Sequence, residues 1–387
     1  METGHRTQSR GRRVPLLIPV FGLVGGVILV SIITLMLFAR RAEASAGWVA
    51  YITTDYHIGV VRVDGNHRLT FNPHLESPAS PLWLSDHDIL FSGGLNRDYR
   101  LYVLRFPSGD VREIIQPPGG IIPLTLRRLP DTDWVYFSGF RDSPRSIELY
   151  RADLTTGQVE QVTDFATQEG GIADFDLSPD GERLVVVVNS RRPQVPNQTY
   201  VMQADGTQSR RIDGGWIIEG VRWADGGTRL IVTVYDSSGP RLFRMTPDGG
   251  NLRVFRFIPQ AVTHFVIAPD EQHIVYHVAC GYARYNCIDQ VQTDGQAIQR
   301  LTQPDRNRLI PILSPDGAWI AYLETALRHS NVWRMRADGS DQRLLADDAN
   351  HRPVAWSPPV DRAWGGAWLI GVAILLILGG FLANRRK

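Results

Sequence analysis

The chain has 387 residues, with 41 Lys/Arg against 40 Asp/Glu for a formal net charge of +1. The balance is uneven along it: nine basic residues but only Glu2 among the acidic ones fall outside residues 42–362, which leaves 32 basic against 39 acidic there, a net of −7. A region of that sign argues against a nucleic-acid partner, which needs a positive face to meet phosphate.

The N-terminal residues 1–13 carry Arg6, Arg10, Arg12 and Arg13, and an uncharged apolar stretch follows from Val14 to Phe38. Twenty-five such residues can cross a hydrocarbon core, so residues 14–38 are predicted as a transmembrane helix. A cleaved signal peptide is the alternative, with Ala44-Ser45-Ala46 as a small-residue site. The long apolar core and the intervening Arg40-Arg41 favour an uncleaved anchor.

From Trp48 the sequence becomes repetitive. A turn ending in Gly recurs at Gly65, Gly109, Gly157, Gly206, Gly249, Gly295 and Gly339, at spacings of 44, 48, 49, 43, 46 and 44 residues. Five of the seven read Asp-Gly, which suits a tight hairpin because Gly adopts positive φ without steric cost. About 20 to 25 residues before several of these stands a second turn, complete in Ser178-Pro179-Asp180-Gly181 and Ser314-Pro315-Asp316-Gly317 and degraded in Ala268-Pro269-Asp270-Glu271, Leu129-Pro130-Asp131 and Ala224-Asp225-Gly226. Apolar runs follow, such as Leu184–Val188, Ile274–Val278 and Trp319–Leu323, and these read as strands buried between neighbouring sheets. A period of 40 to 50 residues with strand-like segments predicts propeller blades.

The first unit begins at Trp48-Val49-Ala50-Tyr51-Ile52, which matches Trp319-Ile320-Ala321-Tyr322-Leu323, the second strand of the last complete unit. The first unit therefore lacks its innermost strand, and Pro353–Pro358 supplies one after the seventh unit. The predicted fold class is all-β: a seven-bladed β-propeller over residues 48–357, closed by pairing of N- and C-terminal strands and flanked by two transmembrane α-helices. Six blades plus a degenerate piece is the alternative.

These turns and strands resemble the TolB-like (WD40-like) β-propeller repeat family, and the resemblance covers residues 48–357. It implies the fold, and it leaves function open because such blades serve very different proteins. TolB-like propellers also precede α/β-hydrolase domains in serine peptidases, but the Gly-x-Ser-x-Gly elbow such a domain needs is missing here.

Within the sixth unit, Cys280 and Cys287 are the sole cysteines and bracket one inter-strand loop. In an oxidising compartment a disulfide would pin that loop, and it is favoured over a metal pair because no histidine stands at ligand spacing; two reduced thiols are the other alternative. Residues 363–383 form a second uncharged span, predicted as a transmembrane helix, with Arg385, Arg386 and Lys387 in the tail 384–387. The flanking charges predict a two-span cell-membrane protein with both termini cytoplasmic and the propeller extracytoplasmic. Loops joining second and third strands would then point away from the membrane.

Those loops carry Arg97, Arg100, Arg141, Arg145, Arg191, Arg192, Tyr282 and Tyr285. Arginine and tyrosine are the residue types that form binding hot spots, so these are the candidate partner-binding residues, with an acidic protein face or an anionic cell-envelope polymer as partner. No catalytic residue, cofactor or metal is assigned. The predicted role is non-catalytic binding or scaffolding. The runner-up is a lyase- or lactonase-type enzyme with a site in the central channel, where His74, Asp174, Asp176, Glu219, Arg222, His264, His351 and Arg352 lie near innermost strands.

Overall fold

The computed structural model describes residues 47–358 apart from 97, 130–131, 143–144, 166–169, 191–195, 238, 256–261, 282–284 and 326–328. The chain divides into a unit of residues 1–46, outside the described residues, and a unit beginning at Gly47 that holds the propeller.

Seven antiparallel sheets of four strands follow one another. From the innermost strand outward, blade two is Glu76–Trp83, Asp88–Leu95, Asp98–Arg105 and Asp110–Ile115, and blade three is Ile122–Arg128, Trp134–Asp142, Arg145–Asp153 and Val159–Gln161. Blade four is Gly170–Leu177, Arg183–Ser190, Gln198–Gln203 and Arg210–Arg211, and blade five Ile217–Ala224, Arg229–Asp236, Gly239–Met245 and Arg253–Val254. Blade six is Val262–Ile267, His273–Cys280, Tyr285–Gln292 and Gln299–Arg300, and blade seven Asn307–Leu313, Trp319–Thr325, Ser330–Arg336 and Arg343–Ala349. Blade one takes its innermost strand, Ala355–Trp356, from the far end of the chain and adds Trp48–Ile52, Ile58–Arg62 and Arg68–Phe71.

One sequence position explains much of the packing. The fourth residue of the second strand is Tyr51, Phe91, Phe137, Val186, Val232, Tyr276 or Tyr322, and each is no more than 1 % exposed. Five of these seven are aromatic, so all but blades four and five present a large flat group there; burying one contributes about 2 to 3 kcal/mol. Between blades one and two, Ala50, Ile52, Ile58 and Val60 meet Ile89, Phe91, Tyr102 and Leu104. Corresponding layers hold the pairs from two–three to six–seven.

The turns fit against this stack. Gly249 and Gly339 have φ of 84° and 86°, and a Cβ there would stand 2.5 Å from the Ile212 carbonyl and 3.0 Å from the Leu301 carbonyl of the preceding blade. The Asp-Gly turns thus recur because the hairpin both needs positive φ and abuts neighbouring backbone. In the Ser-Pro-Asp-Gly turn the serine does the holding: buried Ser314 Oγ donates to Asp316 and accepts from the Trp319 N–H at 2.9 Å. Ser314→Ala should lower stability by about 1 to 2 kcal/mol, read as the denaturation midpoint; an unshifted midpoint contradicts this role.

The structure corrects the expectation of two flanking transmembrane helices. Among the described residues the helical segments are three-residue turns at Pro118–Gly120 and Asp225–Gly227, and no helix is long and apolar enough to cross a membrane. The stretches 14–38 and 363–383, with the tails 1–13 and 384–387, lie outside the described residues. The two-span cell-membrane localisation, with an extracytoplasmic propeller and cytoplasmic termini, is withdrawn with them. Flanking charge orients a spanning helix, and the described residues supply none to orient.

Candidate functional site and family

Innermost strands wall the centre of the ring, and across blades three to six they carry one connected set of charges. In Gly170–Leu177 the side chains alternate, so Asp174 and Asp176 share a face while Phe175 is buried on the other. Arg127 comes from blade three, Arg222 from blade five and His264 from blade six. Each of blades four, five and six has a one-residue bulge in its innermost strand, at Ile172/Asp174, Ile218/Gly220 and Val262/His264. Such a bulge bends the strand and re-aims the side chains beside it.

Asp174 stands between two arginines, 2.6 Å from Arg222 and 3.5 Å from Arg127, and also accepts from the Val221 N–H at 3.1 Å. Asp176 accepts from the Trp223 N–H at 3.0 Å and lies 3.9 Å from Arg127. The two aspartates therefore fasten blade four to the backbone of blade five. Their titration differs accordingly. Burial is the largest influence on both and pushes the carboxyl up; at Asp174 the close arginines Arg222 and Arg127 overcome it and the pKa falls, whereas at Asp176, with no contact as short, it rises. Burial, aided by Arg222, lowers the pKa of Arg127.

His264 and His277, the latter from the second strand of blade six, stack with ring centroids 5.8 Å apart. The Ile310 N–H of blade seven donates to His277 Nδ1 at 3.2 Å. Burial, then Arg222 and His277, pushes the His264 pKa down to about 3, and burial pushes that of His277 down to about 4. Both rings are therefore neutral at pH 7, and among the described residues the buried His264 Nε2 has no hydrogen-bond partner.

The sign of the pH dependence follows. A histidine whose folded pKa lies below the unfolded value of about 6.5 contributes stability fully above that pH and loses it as the pH falls toward the folded value. At pH 6 the loss is about 1 kcal/mol per histidine relative to pH 7.5. His264→Gln should flatten the stability profile between pH 7.5 and 5, and an unaltered slope contradicts the assignment. Asp174, held low, adds its loss only below the ordinary carboxylate range.

Of the channel candidates, the structure brings together Asp174, Asp176, Arg222 and His264, and adds Arg127 and His277. Glu219 is exposed beside the blade-five bulge. His74 is exposed on the approach to blade two, His351 Nδ1 pairs with Ser330 Oγ at 2.7 Å, and the Arg352 N–H caps Asn350. These three stand outside the cluster. Among the described residues no group of three His, Cys, Asp or Glu could hold a metal ion.

The partner-binding candidates divide differently. Arg97, Arg191, Arg192 and Tyr282 lie outside the described residues. Arg100, Arg141, Arg145 and Tyr285 sit where second and third strands meet, and antiparallel pairing puts all such junctions at one end of the ring. Arg100 is neutralised there by Asp98 at 2.5 Å and Glu113 at 2.6 Å. Arg141 reaches the Tyr150 hydroxyl at 3.5 Å, Arg145 lies over the Phe140 ring at 6.0 Å, and Tyr285 is half-buried. Beside Tyr285, Cys280 and Cys287 are joined by a disulfide with their Cα atoms 5.8 Å apart.

A ring of seven four-stranded sheets, closed by a borrowed innermost strand and bracketed by charges along its inner wall, defines the protein as a seven-bladed β-propeller. The TolB beta propeller domain matches residues 96–360, and the chain belongs to that family. Among solved structures it is similar to TolB from Acinetobacter baumannii (16 % identity, TM-score 0.49, covering 81 % of this chain and 67 % of that one). It is also similar to an oligogalacturonate lyase in complex with manganese (15 %, 0.58, 77 % and 84 %) and to a puromycin hydrolase (17 %, 0.62, 81 % and 53 %). At such identities the likeness shows the fold alone. No curated protein matches the chain.

Proposed function

We propose that the protein is a non-catalytic binding or scaffolding propeller whose contact surface is the end carrying Arg141, Arg145 and Tyr285. The observation supporting this is the saturation of the inner-wall carboxylates: Asp174 and Asp176 spend their oxygens on Arg222, Arg127 and the Val221 and Trp223 N–H groups. Groups so engaged brace a frame and are poor acids or bases for a substrate. At the junction end, by contrast, arginines and a tyrosine stand beside short hairpins, with the disulfide pinning one of them. The partner that suits them is an acidic protein face or an anionic polymer. Arg141→Glu/Arg145→Glu should reduce capture of a bound partner in pull-downs about tenfold or more at an unchanged melting temperature. Equal capture by the variant overturns the reading.

A second reading, an enzyme of lyase or lactonase type acting in the channel, has one observation in its favour, the buried Nε2 of His264, unpartnered among the described residues, beside the Asp174–Arg222 pair. Stoichiometric metal in the purified protein, lost in His264→Gln, would support it.

A further inference from the structure

At the end of the ring opposite the Arg141 and Arg145 hairpins, a cleft of about 560 Å³ lies between the outer strands of blade five and the outer hairpin of blade six. That size is within the range of small-ligand sites. Arg244, Arg253, Val254 and Phe255 line it from blade five, and Asp294 and Gln296 line it from the outer hairpin of blade six, whose Gly295 packs against the Phe255 ring. The same two arginines line an adjoining hollow of about 210 Å³.

The arginines are out of keeping with their surroundings. Arg244 and Arg253 are directly opposed across neighbouring antiparallel strands, a like-charge pairing that works against the sheet. In blades three and six, outer-strand arginines are neutralised. Arg151 faces Glu160 at 2.6 Å in blade three, and Arg300 faces Asp289 at 3.0 Å in blade six. Blade seven opposes two arginines as well, but Arg334 donates to Asp341 and to the Val63 carbonyl, and Arg343 to the Asp64 carbonyl. In blade five, among the described residues, neither guanidinium has a hydrogen-bond, ion-pair or ring partner. Two neighbouring guanidinium forks that no described side chain neutralises offer a bidentate oxyanion a pair of matched donors. Asp294 and Gln296 add a condition: whatever places an anion here must offer hydroxyl or amine donors a few ångströms away.

We propose that this cleft binds a small polyol that bears one oxyanion, phosphate or carboxylate, with the anion held by Arg244 and Arg253 and its hydroxyls facing Asp294 and Gln296. The site is independent of the partner surface proposed above. Isothermal titration of the full chain with glucose 6-phosphate and with glucuronate tests it, with glucose as the neutral probe. Saturable binding of at least one acid, with glucose weaker, is expected, and the stronger of the two identifies the anion. Arg253→Gln and Arg244→Gln should each weaken binding about tenfold or more, while removal of the like-charge pairing leaves the ligand-free melting temperature equal or higher. Arg253 is exposed, so its variant carries the test should Arg244→Gln unfold. No saturable binding of either acid, equal binding of glucose, or affinity unaltered in Arg253→Gln overturns the proposal.

Discussion

An internal deletion of residues 352–357 should abolish the cooperative unfolding transition of the propeller. The segment holds the innermost strand of blade one, whose Ala355 and Trp356 pair with Ala50 and Val49. Ser357 and Trp48 add a reciprocal tie: the Ser357 N–H donates to the Trp48 carbonyl at 2.8 Å, and the Trp48 N–H to Ser357 Oγ at 2.8 Å. Trp356 Nε1 reaches the Ile312 carbonyl of blade seven at 3.2 Å, and Val354 is buried. Each hydrogen bond contributes about 1 kcal/mol and the buried side chains several more. The total, on the order of 5 kcal/mol or more, matches the whole stability of a typical domain. An exposed edge at Trp48–Ile52 would then invite pairing with other chains. Circular dichroism melts should show a broad, early transition with aggregation, whereas Ser357→Ala alone should cost about 1 to 2 kcal/mol. A deletion variant melting like the intact protein would contradict closure by this strand.

Asp174→Ala should destabilise the protein by about 3 to 5 kcal/mol, because removing one member of a largely buried ion pair leaves its partners uncompensated. Arg222, 14 % exposed at the side chain, loses its 2.6 Å carboxylate contact. Arg127 is left facing Arg222 with Asp176 alone between them, and the Val221 N–H loses its acceptor. Asp174→Asn keeps the shape and should fall between the two. Asp174→Ala/Arg222→Ala should cost less than the sum of the single changes, since the second removes the charge the first stranded. Chemical denaturation of the four proteins measures this coupling, and strict additivity would show that the pair does not act as a unit.

Much of the ring was legible in the chain because its turns are chemically demanding. Positive φ and a close neighbouring carbonyl leave Gly249 and Gly339 little alternative, so the Asp-Gly period survives where strand sequences diverge. Closure was legible too, since Trp48-Val49-Ala50-Tyr51 duplicates Trp319-Ile320-Ala321-Tyr322 and so announces a missing inner strand. The charged inner wall was legible only residue by residue. Asp174, Asp176, Arg222 and His264 were each nominated, but their convergence depends on the rotation between blades and on three bulges, neither of which a repeat alignment shows. Arg127 was missed because the turn after it, Leu129-Pro130-Asp131, is degraded and hides its equivalence to Asp176. His277 was missed because it stands within the apolar run Ile274–Val278, where a neutral buried ring is indistinguishable from core. His74, His351 and Arg352 were nominated for nearness in sequence to inner strands, yet they belong to the approaches.

The tie between Trp48 and Ser357 also governs how the ring bears load. Tension applied at the two places where backbone joins the propeller falls on a single short strand pair and the bonds beside it. Rupture should therefore begin by peeling Ala355–Trp356 from blade one. Blades two to six, each loaded only through its neighbours, would yield afterwards, so the molecule has a built-in mechanical fuse at its seam.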